Sequence, residues 1–279
     1  MCREKVSIRL FTLSIKIVNR LNVAGSNWKL SSQDVVMNRP IYTDFAWECL
    51  RRNSLYIRDW EVMSNSATLN REERFDGEVK LQSPLDLVAE KKWGLMKYVE
   101  PGNSDPTDVF WSPRLSKRSI RLALSTSGDF TWGHIADKPG VHCHKLRLLD
   151  STLCIKIFNN NSYFQFFIDT NTLLSNNSSL FLYIPLNLQA EVINKNIDII
   201  KGILSNRSDN DEKEKNRMQL LRALDRRKQG LTHKDIASDI FGEEVVKNEW
   251  SSDSWLRANI RYRLKKANKL ISDGYLDYI

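Results

Sequence analysis

The chain has 279 residues, of which 41% are hydrophobic and 10% aromatic, enough to build the cores of one large or about two to three small domains. Lysine and arginine outnumber aspartate and glutamate by 42 to 34, so the formal net charge is +8 at pH 7. No apolar run approaches the roughly 20 residues that cross a bilayer, and the apolar stretch from Val6 to Val18 is interrupted by Arg9 and Lys16. The composition therefore favours a soluble globular protein without a secretory signal.

The positive charge is concentrated at the two ends of the chain. Residues 1–29 hold six lysines and arginines against one glutamate (+5), and residues 216–279 hold thirteen against nine acidic residues (+4). Residues 30–215 hold twenty-three against twenty-four (−1). This distribution suits a neutral body that carries basic binding elements.

The four cysteines are scattered without a CxxC pair or the regular spacing of a disulfide framework. They are Cys2, Cys49, Cys143 and Cys154. This usage fits a reducing cytoplasm.

Residues 1–36 differ from the rest of the chain. They are basic, and the alternating Val6, Ile8 and Leu10 are followed by a polar tract. One interpretation is a basic arm that reaches a partner. The other is a non-native extension caused by an early translation start, with the working protein beginning at Met37, and we favour the second because nothing downstream needs this segment.

A regulatory and oligomerisation body is predicted over residues 37–204. Its first part is helical: Asp44 can cap a helix whose Trp47 and Leu50, with the neighbouring Phe45, form an apolar stripe. Such a stripe is most often core, and the alternative is a subunit interface.

From residue 119 to residue 186 the apolar residues alternate as in strands, and Asn159-Asn160-Asn161 reads as a hairpin turn. We predict a small antiparallel sheet of four to six strands, closed by a helix over residues 188–204. Residues 205–215 contain no apolar residue and are predicted to be a flexible linker. The predicted fold class is α+β, followed by an all-α C-terminal domain.

Residues 216–279 have the pattern of a helix-turn-helix-like DNA-binding domain. An amphipathic helix through Leu221 and Leu224 is stopped by Gly230, and Thr232 caps a short helix that buries Ile236 and Ile240. The segment from Gly242 to Ser252 is longer than the usual three- or four-residue turn, which indicates a winged or extended variant.

The last predicted helix carries the charge of this domain. Arg257, Arg261, Lys265 and Lys269 form an i+4 row turned away from an apolar face, and no acidic residue lies between Asp253 and Asp273. A like-charged row costs roughly 0.2–0.5 kcal/mol per pair in an isolated helix and is more easily tolerated beside a polyanion. The plain alternative is a solvated surface. The predicted DNA contacts are Lys234, Trp255, Arg257, Arg261, Arg263, Lys265, Lys266 and Lys269.

Motifs for other chemistry are weak. His142 and His144 alternate on a predicted strand and, with His134 as an extra ligand, could begin a zinc site, but a closed site needs four ligands. The sequence has no phosphate-binding glycine loop, no GxSxG and no HExxH. We therefore predict no enzyme, metal or cofactor.

Three blocks of the sequence resemble the RovC-type transcriptional regulators. They are the 45–53 segment with Asp59-Trp60, the Trp93-Gly94-Leu95 and Phe110-Trp111 pair, and the region from Leu220 to Tyr275. In the last block the matching positions include Gly230-Leu231-Thr232, Ile236-Ala237, Phe241-Gly242, Trp255-Leu256 and Gly274-Tyr275. The resemblance spans residues 41–279 and leaves out residues 1–36.

The resemblance implies a cytoplasmic activator of type VI secretion genes that binds double-stranded promoter DNA as a homo-oligomer, with a hexamer as the expected assembly and RNA polymerase as a further partner. Two rival functions stay open on the residues alone. The first is a protein- or RNA-interaction module that uses the same basic helices. The second is a metal-dependent enzyme built on the strand of His142 and His144.

Overall fold

A computed structural model of the protein describes residues 42–66, 73–75, 78–80, 84–125, 127–148, 151–169, 174–183, 189–207 and 212–279. All of them lie in one compact unit that spans residues 39–279. The predicted extension over residues 1–36 and the start at Met37 fall outside the described residues. No helix within the described ranges is long and apolar enough to cross a membrane.

The helices surround a mixed sheet. They are α1 (Phe45–Leu50), α2 (Ser54–Ser66), α3 (Pro84–Trp93), α4 (Gly133–Ala136), α5 (Ala190–Leu204), α6 (Glu212–Lys228), α7 (His233–Phe241), α8 (Glu243–Glu249) and α9 (Trp255–Ser272), followed by a 3-10 helix (Gly274–Tyr278). The strands are β1 (Glu73–Phe75), β2 (Glu78–Lys80), β3 (Ser119–Ser125), β4 (His142–Arg147), β5 (Thr152–Phe158), β6 (Tyr163–Asp169) and β7 (Ser179–Tyr183). The predicted α+β class with helices after the sheet is confirmed.

The sheet differs from the predicted one in strand direction, and it also includes β1 and β2 from before residue 119. The described strands form one seven-stranded sheet in the order β1-β2-β4-β5-β6-β3-β7, in which β3 runs parallel to β6 and β2 runs parallel to β4. The predicted four to six strands over residues 119–186 are confirmed, since β3 to β7 lie there, whereas the prediction of an antiparallel sheet was wrong for β3 beside β6. Apolar alternation reveals which residues face a core, but it contains no information on the direction of the neighbouring strand.

The central strands β5 and β6 are buried on both faces. On one face, Ile155 and Phe166 pack in a cluster that includes Ile135 of α4 and Ile203 of α5. The predicted closing helix is therefore confirmed, and the predicted asparagine turn joins β5 to β6, where the side-chain oxygen of Asn159 accepts hydrogen bonds from two backbone N–H groups.

The opposite face of the sheet is covered by the segment from residue 95 to residue 111. Phe167 packs there against Phe110, and the amide of Gln165 exchanges two hydrogen bonds with the backbone of Trp111, at 2.9 and 3.0 Å. Lys156 is fully buried on this side, and its ammonium group donates to the carbonyls of Pro106, at 3.0 Å, and Val109. Burial lowers the pKa of Lys156 to about 8. These polar contacts hold the covering segment on the sheet.

Helix α1 begins at the predicted cap. One carboxylate oxygen of Asp44 accepts from the N–H of Trp47 at 3.1 Å, and the other accepts from the indole N–H of Trp111 at 2.8 Å. Asp44 therefore joins the start of α1 to the segment that covers the sheet. The aromatic stripe of α1 lies in the core of the subunit, since Phe45, Trp47 and Leu50 are all buried.

The C-terminal helices share one hydrophobic core with α1. Leu50 belongs to the same buried cluster as Leu221 of α6 and Ile260 of α9. The amide of Asn53, just after α1, donates to the carbonyl of Ile271 at 2.7 Å. At the end of the chain, the hydroxyl of Tyr275 donates to the carbonyl of Trp93 at 3.2 Å.

The predicted linker over residues 205–215 runs into helix α6. Residues 212–215 are helical, and Glu212 and Glu214 in this first turn suit the positive end of the helix dipole. The absence of apolar residues predicted a flexible tether, but the first turn of a helix can be formed by polar residues alone. The division of the chain at this segment stays a prediction. Because the core is shared, α6 and α9 gain part of their stability from α1.

A buried ion-pair network fastens α1 to α6. The guanidinium of Arg52 contacts Glu48 at 2.5 Å and Asp225 of α6 at 2.9 Å, and Arg51 contacts Glu48 at 2.9 Å. Burial raises the pKa of Glu48, but the charges of Arg52 and Arg51 outweigh it and lower that pKa below its ordinary value. Glu48 therefore stays ionised in the core and requires its arginine partners.

We expect Arg52→Ala to lower the free energy of unfolding by about 3–5 kcal/mol, because it leaves Asp225 without its arginine and Glu48 with one guanidinium instead of two. The matched control is Arg222→Ala, which removes an exposed pair with Asp239 and should cost about 0–1 kcal/mol. Urea denaturation measures both. Equal losses for the two variants would contradict a structural role for the network.

Candidate nucleic-acid interface

Helix α9 presents the predicted basic row to solvent. Arg261, Lys265 and Lys269 are exposed and Arg257 is half-buried, whereas the opposite face is buried against the core. The buried residues of α9 are Leu256, Ile260, Leu264, Ala267 and Leu270. The hydroxyl of Ser254 accepts from the N–H of Arg257 at 3.4 Å and caps the helix. Burial of the apolar face thus determines which way the cations point.

Helix α7 begins beside this row because of two local signals. Gly230 ends α6 with a φ of +91°, where a side chain would be strained, and the N–H of Leu231 donates to the carbonyl of Arg226 at 3.2 Å. Thr232 then caps α7 in a reciprocal capping box with Asp235. Both predicted signals are confirmed, and they place His233 and Lys234 in the first turn of α7.

The long segment between α7 and α9 contains a short helix. We predicted an extended or winged turn after Gly242, and the structure places α8 there, followed by a loop through Trp250. Val246 of α8 is buried in the common core. The arrangement is therefore helical throughout rather than winged in the described residues of this region.

Helices α6, α7 and α9 enclose an open depression of about 340 Å³. It is lined by Arg227, Thr232, His233, Lys234, Trp250 and Arg257. Three of these side chains are permanently cationic, and they come from three different helices. The guanidinium of Arg257 lies 5.9 Å from the ring centre of Trp250, within the range of a cation–π contact.

The electrostatics of the depression are visible in His233. Burial lowers the pKa of this imidazole, and the charges of Arg227, Arg257 and Arg261 lower it further. Arg261 thus acts on the same site although it lies one turn further along α9. The positive potential of the site disfavours additional positive charge and favours an anion.

Neighbouring arginines on α6 differ in their partners. Arg222 and Arg226 both contact Asp239 of α7, at 2.8 and 3.4 Å. Arg227 instead donates to the backbone carbonyl of Leu231 at 3.1 Å. Of these three, Arg227 is the one that directs its charge to the depression.

Two predicted contact residues lie on the other side of α9. The ring of Trp255 packs edge-on against Phe241 with centres 5.2 Å apart, and its indole N–H donates to Glu249. Arg263 donates to Asn259 at 2.6 Å and lies 5.6 Å from the ring of Phe241. Trp255 is still half-exposed, whereas the guanidinium of Arg263 also donates to Gln219 of α6 at 3.3 Å and lies against Phe241 of α7.

The structure brings Lys234, Arg257 and Arg261 together and continues them along α9 with Lys265 and Lys269. Trp255, Arg263 and Lys266 do not join this group, and the ammonium of Lys266 lies 5.7 Å from the ring of Tyr262. The depression is also lined by Arg227, His233 and Trp250, which the sequence pattern did not predict as site residues. The signal for two of them was present, since Arg227 precedes the glycine stop and His233 follows the threonine cap.

The two strand histidines do not form a metal centre within the described residues. His142 stacks on Phe158 with ring centres 5.5 Å apart, and His144 contacts Asp108 at 3.3 Å. The described part of the chain holds no group of three or more His, Cys, Asp or Glu side chains placed to bind a metal ion. The hypothesis of a metal-dependent enzyme therefore has no site among these residues.

Comparison with known protein families identifies two segments. Residues 203–279 match the family model RovC_DNA-bd, described as the DNA-binding domain of a T6SS transcription factor. Residues 27–96 match a proteobacterial transcriptional regulator-like domain. Comparison with curated proteins gives no match. The first match contains the whole cationic surface described above, and both matches point to a regulator of transcription.

We expect Arg257→Gln to raise the pKa of His233, because it removes one of the three arginine charges that disfavour the imidazolium. Proton NMR titration of the full-length protein measures this pKa directly, and Lys138→Gln, which removes an exposed charge from the loop after α4, is the matched control. An unchanged His233 titration in Arg257→Gln would show that the two side chains do not share the depression.

Proposed function

We propose that this protein binds promoter DNA in a sequence-specific manner and activates type VI secretion genes. The starting point is the C-terminal segment, which matches the DNA-binding domain of a type VI secretion transcription factor. The observation that carries the proposal is the convergence of Arg227, Lys234, Arg257 and Arg261 on one solvent-facing surface. A polyanion is the natural occupant of such a surface.

The cationic surface contacts the phosphate backbone in this proposal. Each lysine or arginine that neutralises one phosphate contributes about −0.9 to the slope of log K against log salt concentration. Phosphate contacts of this kind orient the protein on the duplex and supply affinity, but they do not read the sequence.

Sequence is read in this proposal by the exposed side of α9, in the major groove. Trp255 and Tyr262 of α9 are 50% and 60% exposed. Aromatic rings at such positions offer apolar contact to base edges such as the thymine methyl group. Lys266 extends this side with a hydrogen-bond donor for guanine.

Self-association through the sheet is the second part of the proposal. Strand β7 lies at one end of the described sheet and exposes three consecutive large apolar side chains, Phe181, Leu182 and Tyr183, at 49%, 41% and 58%. An apolar edge strand is a ready template for pairing with a second copy. Linking DNA-binding surfaces in an oligomer raises the apparent affinity by roughly 10²–10⁴ without a new contact.

A regulator of this kind works on the bacterial nucleoid in the cytoplasm and, as an activator, brings RNA polymerase to the promoter. The rival function is a protein- or RNA-interaction module that uses the same helices. It predicts that RNA or a protein competes at least as well as duplex DNA for the cationic surface. Tight, sequence-dependent retention of duplex DNA in preference to RNA supports the proposal.

The double substitution Arg257→Ala and Arg261→Ala should weaken binding to all DNA sequences and flatten the salt slope by up to about two units, because two phosphate contacts are lost. Fluorescence anisotropy at several salt concentrations measures the slope. The control Lys138→Ala with Lys195→Ala removes two exposed charges outside the C-terminal helices and should leave it unchanged. A wild-type slope in the Arg257/Arg261 variant would refute the assignment of this surface.

The substitution pair Phe181→Ser and Tyr183→Ser should shift the protein to smaller species in sedimentation velocity, since alternate residues of β7 lie on one face and lose their apolar contact. The apparent affinity for DNA should then fall by up to about 10²–10⁴-fold, because the gain from linked binding surfaces is lost, while the salt slope per subunit stays the same. The matched control is Leu276→Ser, an exposed leucine in the 3-10 helix. Wild-type sedimentation of the β7 variant would exclude this edge as the interface.

A further inference from the structure

Positively charged side chains from three helices meet in the depression between α6, α7 and α9. Arg227 comes from the last turn of α6, Lys234 from the first turn of α7, and Arg257 from the first turn of α9. Like charges that converge from three elements repel one another. Binding of an anion relieves this repulsion.

Three acidic residues that lie close to the lining in sequence, Asp235, Glu249 and Asp239, make other contacts. Asp235 accepts hydrogen bonds from the N–H and the hydroxyl of Thr232, at 2.9 and 2.7 Å, as part of the cap of α7. Glu249 accepts from the indole of Trp255. Asp239 pairs with Arg222 and Arg226 on the far side of α7. Beside burial, the causes of the lowered pKa of His233 are the charges of Arg227, Arg257 and Arg261 and include no carboxylate, so the local potential at His233 is positive.

His233 lies among these cations as the one group that can change its charge near neutral pH. It faces Arg227 of α6 and Arg257 and Arg261 of α9, and it is flanked on α7 by Lys234 and Asp235. In the free protein, burial and the three arginines hold the pKa of His233 below its ordinary value. The imidazole is therefore neutral at pH 7, and an anion in the depression would offset the arginines and favour the imidazolium.

We propose that this depression is a subsite for one backbone phosphate of DNA, in which His233 takes up a proton as the phosphate binds, so that DNA affinity rises as pH falls. The inference rests on the proposed DNA-binding function and adds a specific phosphate position and a pH dependence to it. The occupant is a phosphodiester because the depression is open to solvent and continues into the exposed cationic row of α9.

The sign of the effect follows from proton linkage. The complex binds more protons than the free protein in the range between the two pKa values of His233, so lower pH favours the complex there. Above the pKa of the complex the imidazole is neutral in both states and contributes no pH dependence. The chain has four histidines, and the other three, His134, His142 and His144, lie between residues 119 and 147 rather than in the C-terminal helices. An effect assigned to His233 can therefore be separated from theirs.

The test uses the full chain and a mixed-sequence DNA duplex at constant ionic strength. Anisotropy titrations at about pH 5.5 and about pH 7.5 should show a Kd for the wild type that falls by up to about tenfold at the lower pH, as expected for a pKa rise of about one unit. His233→Gln, which stays neutral at both pH values, should lose this difference. The matched control His142→Gln replaces an exposed histidine of β4 and should retain it.

Calorimetric titration in two buffers with different ionisation enthalpies provides an independent readout. The wild type should take up a fraction of a proton per bound subunit near pH 6.5, and His233→Gln should take up less. His233→Asn serves as a second neutral variant, and circular dichroism checks that each variant is folded.

The outcomes separate the inference from the proposed function. DNA binding with the same pH dependence and proton uptake in the wild type and the His233 variants overturns the phosphate subsite and leaves the DNA-binding function intact. Absence of DNA binding by the wild type at every pH overturns the proposed function and the inference together. The inference is established if the His233 variants lose both the pH dependence and the proton uptake while the His142 control keeps the pH dependence.

Discussion

The packing of α1 against the C-terminal helices is the constraint on which the candidate DNA-binding surface depends. Leu50 shares a core with Leu221 and Ile260, so the apolar face of α9 is buried and its basic face is left outside. The Arg52–Asp225 pair ties α6 to the same helix. Since the last turn of α6 carries Arg227, a shift of α6 on α1 would move one wall of the depression. The described residues of the two segments that match a regulator-like domain and a DNA-binding domain thus share one hydrophobic core.

Charge on this surface is organised by pairing as much as by composition. Asp239 contacts Arg222 and Arg226, whereas Arg227, Lys234 and Arg257 line an open depression. Burial there and the charges of Arg227, Arg257 and Arg261 lower the pKa of His233. Repulsion among these cations opposes folding, and the hydrophobic core of α6, α7 and α9 holds them together despite it. Because packing already holds the cations together, a bound anion stabilises this surface by relieving their mutual repulsion.

The sheet contributes to function indirectly. Its central strands are covered on one face by α5 and on the other by the segment that ends at Trp111, whose indole is held by Asp44 at the start of α1. The sheet therefore supports the covering segment, the covering segment contacts α1, and α1 packs against the C-terminal helices. Strand β7, at one end of the described sheet, leaves Phe181, Leu182 and Tyr183 exposed.

The features that the sequence determined by itself are those with local causes. The caps at Asp44 and Thr232, the stop at Gly230, the α+β order of elements and the basic row of α9 all follow from side-chain chemistry within about one helical turn or one strand, and the structure contains each of them. Tertiary structure alone decided the parallel placement of β3 beside β6, the sharing of one core by α1 and α9, and the meeting of Arg227, His233 and Trp250. It also separated Arg263 from the other predicted contacts by placing its guanidinium beside Gln219 of α6 and Phe241 of α7. The physical reason is that periodicity reports which face of an element is buried, whereas the partner of that face depends on how distant elements pack.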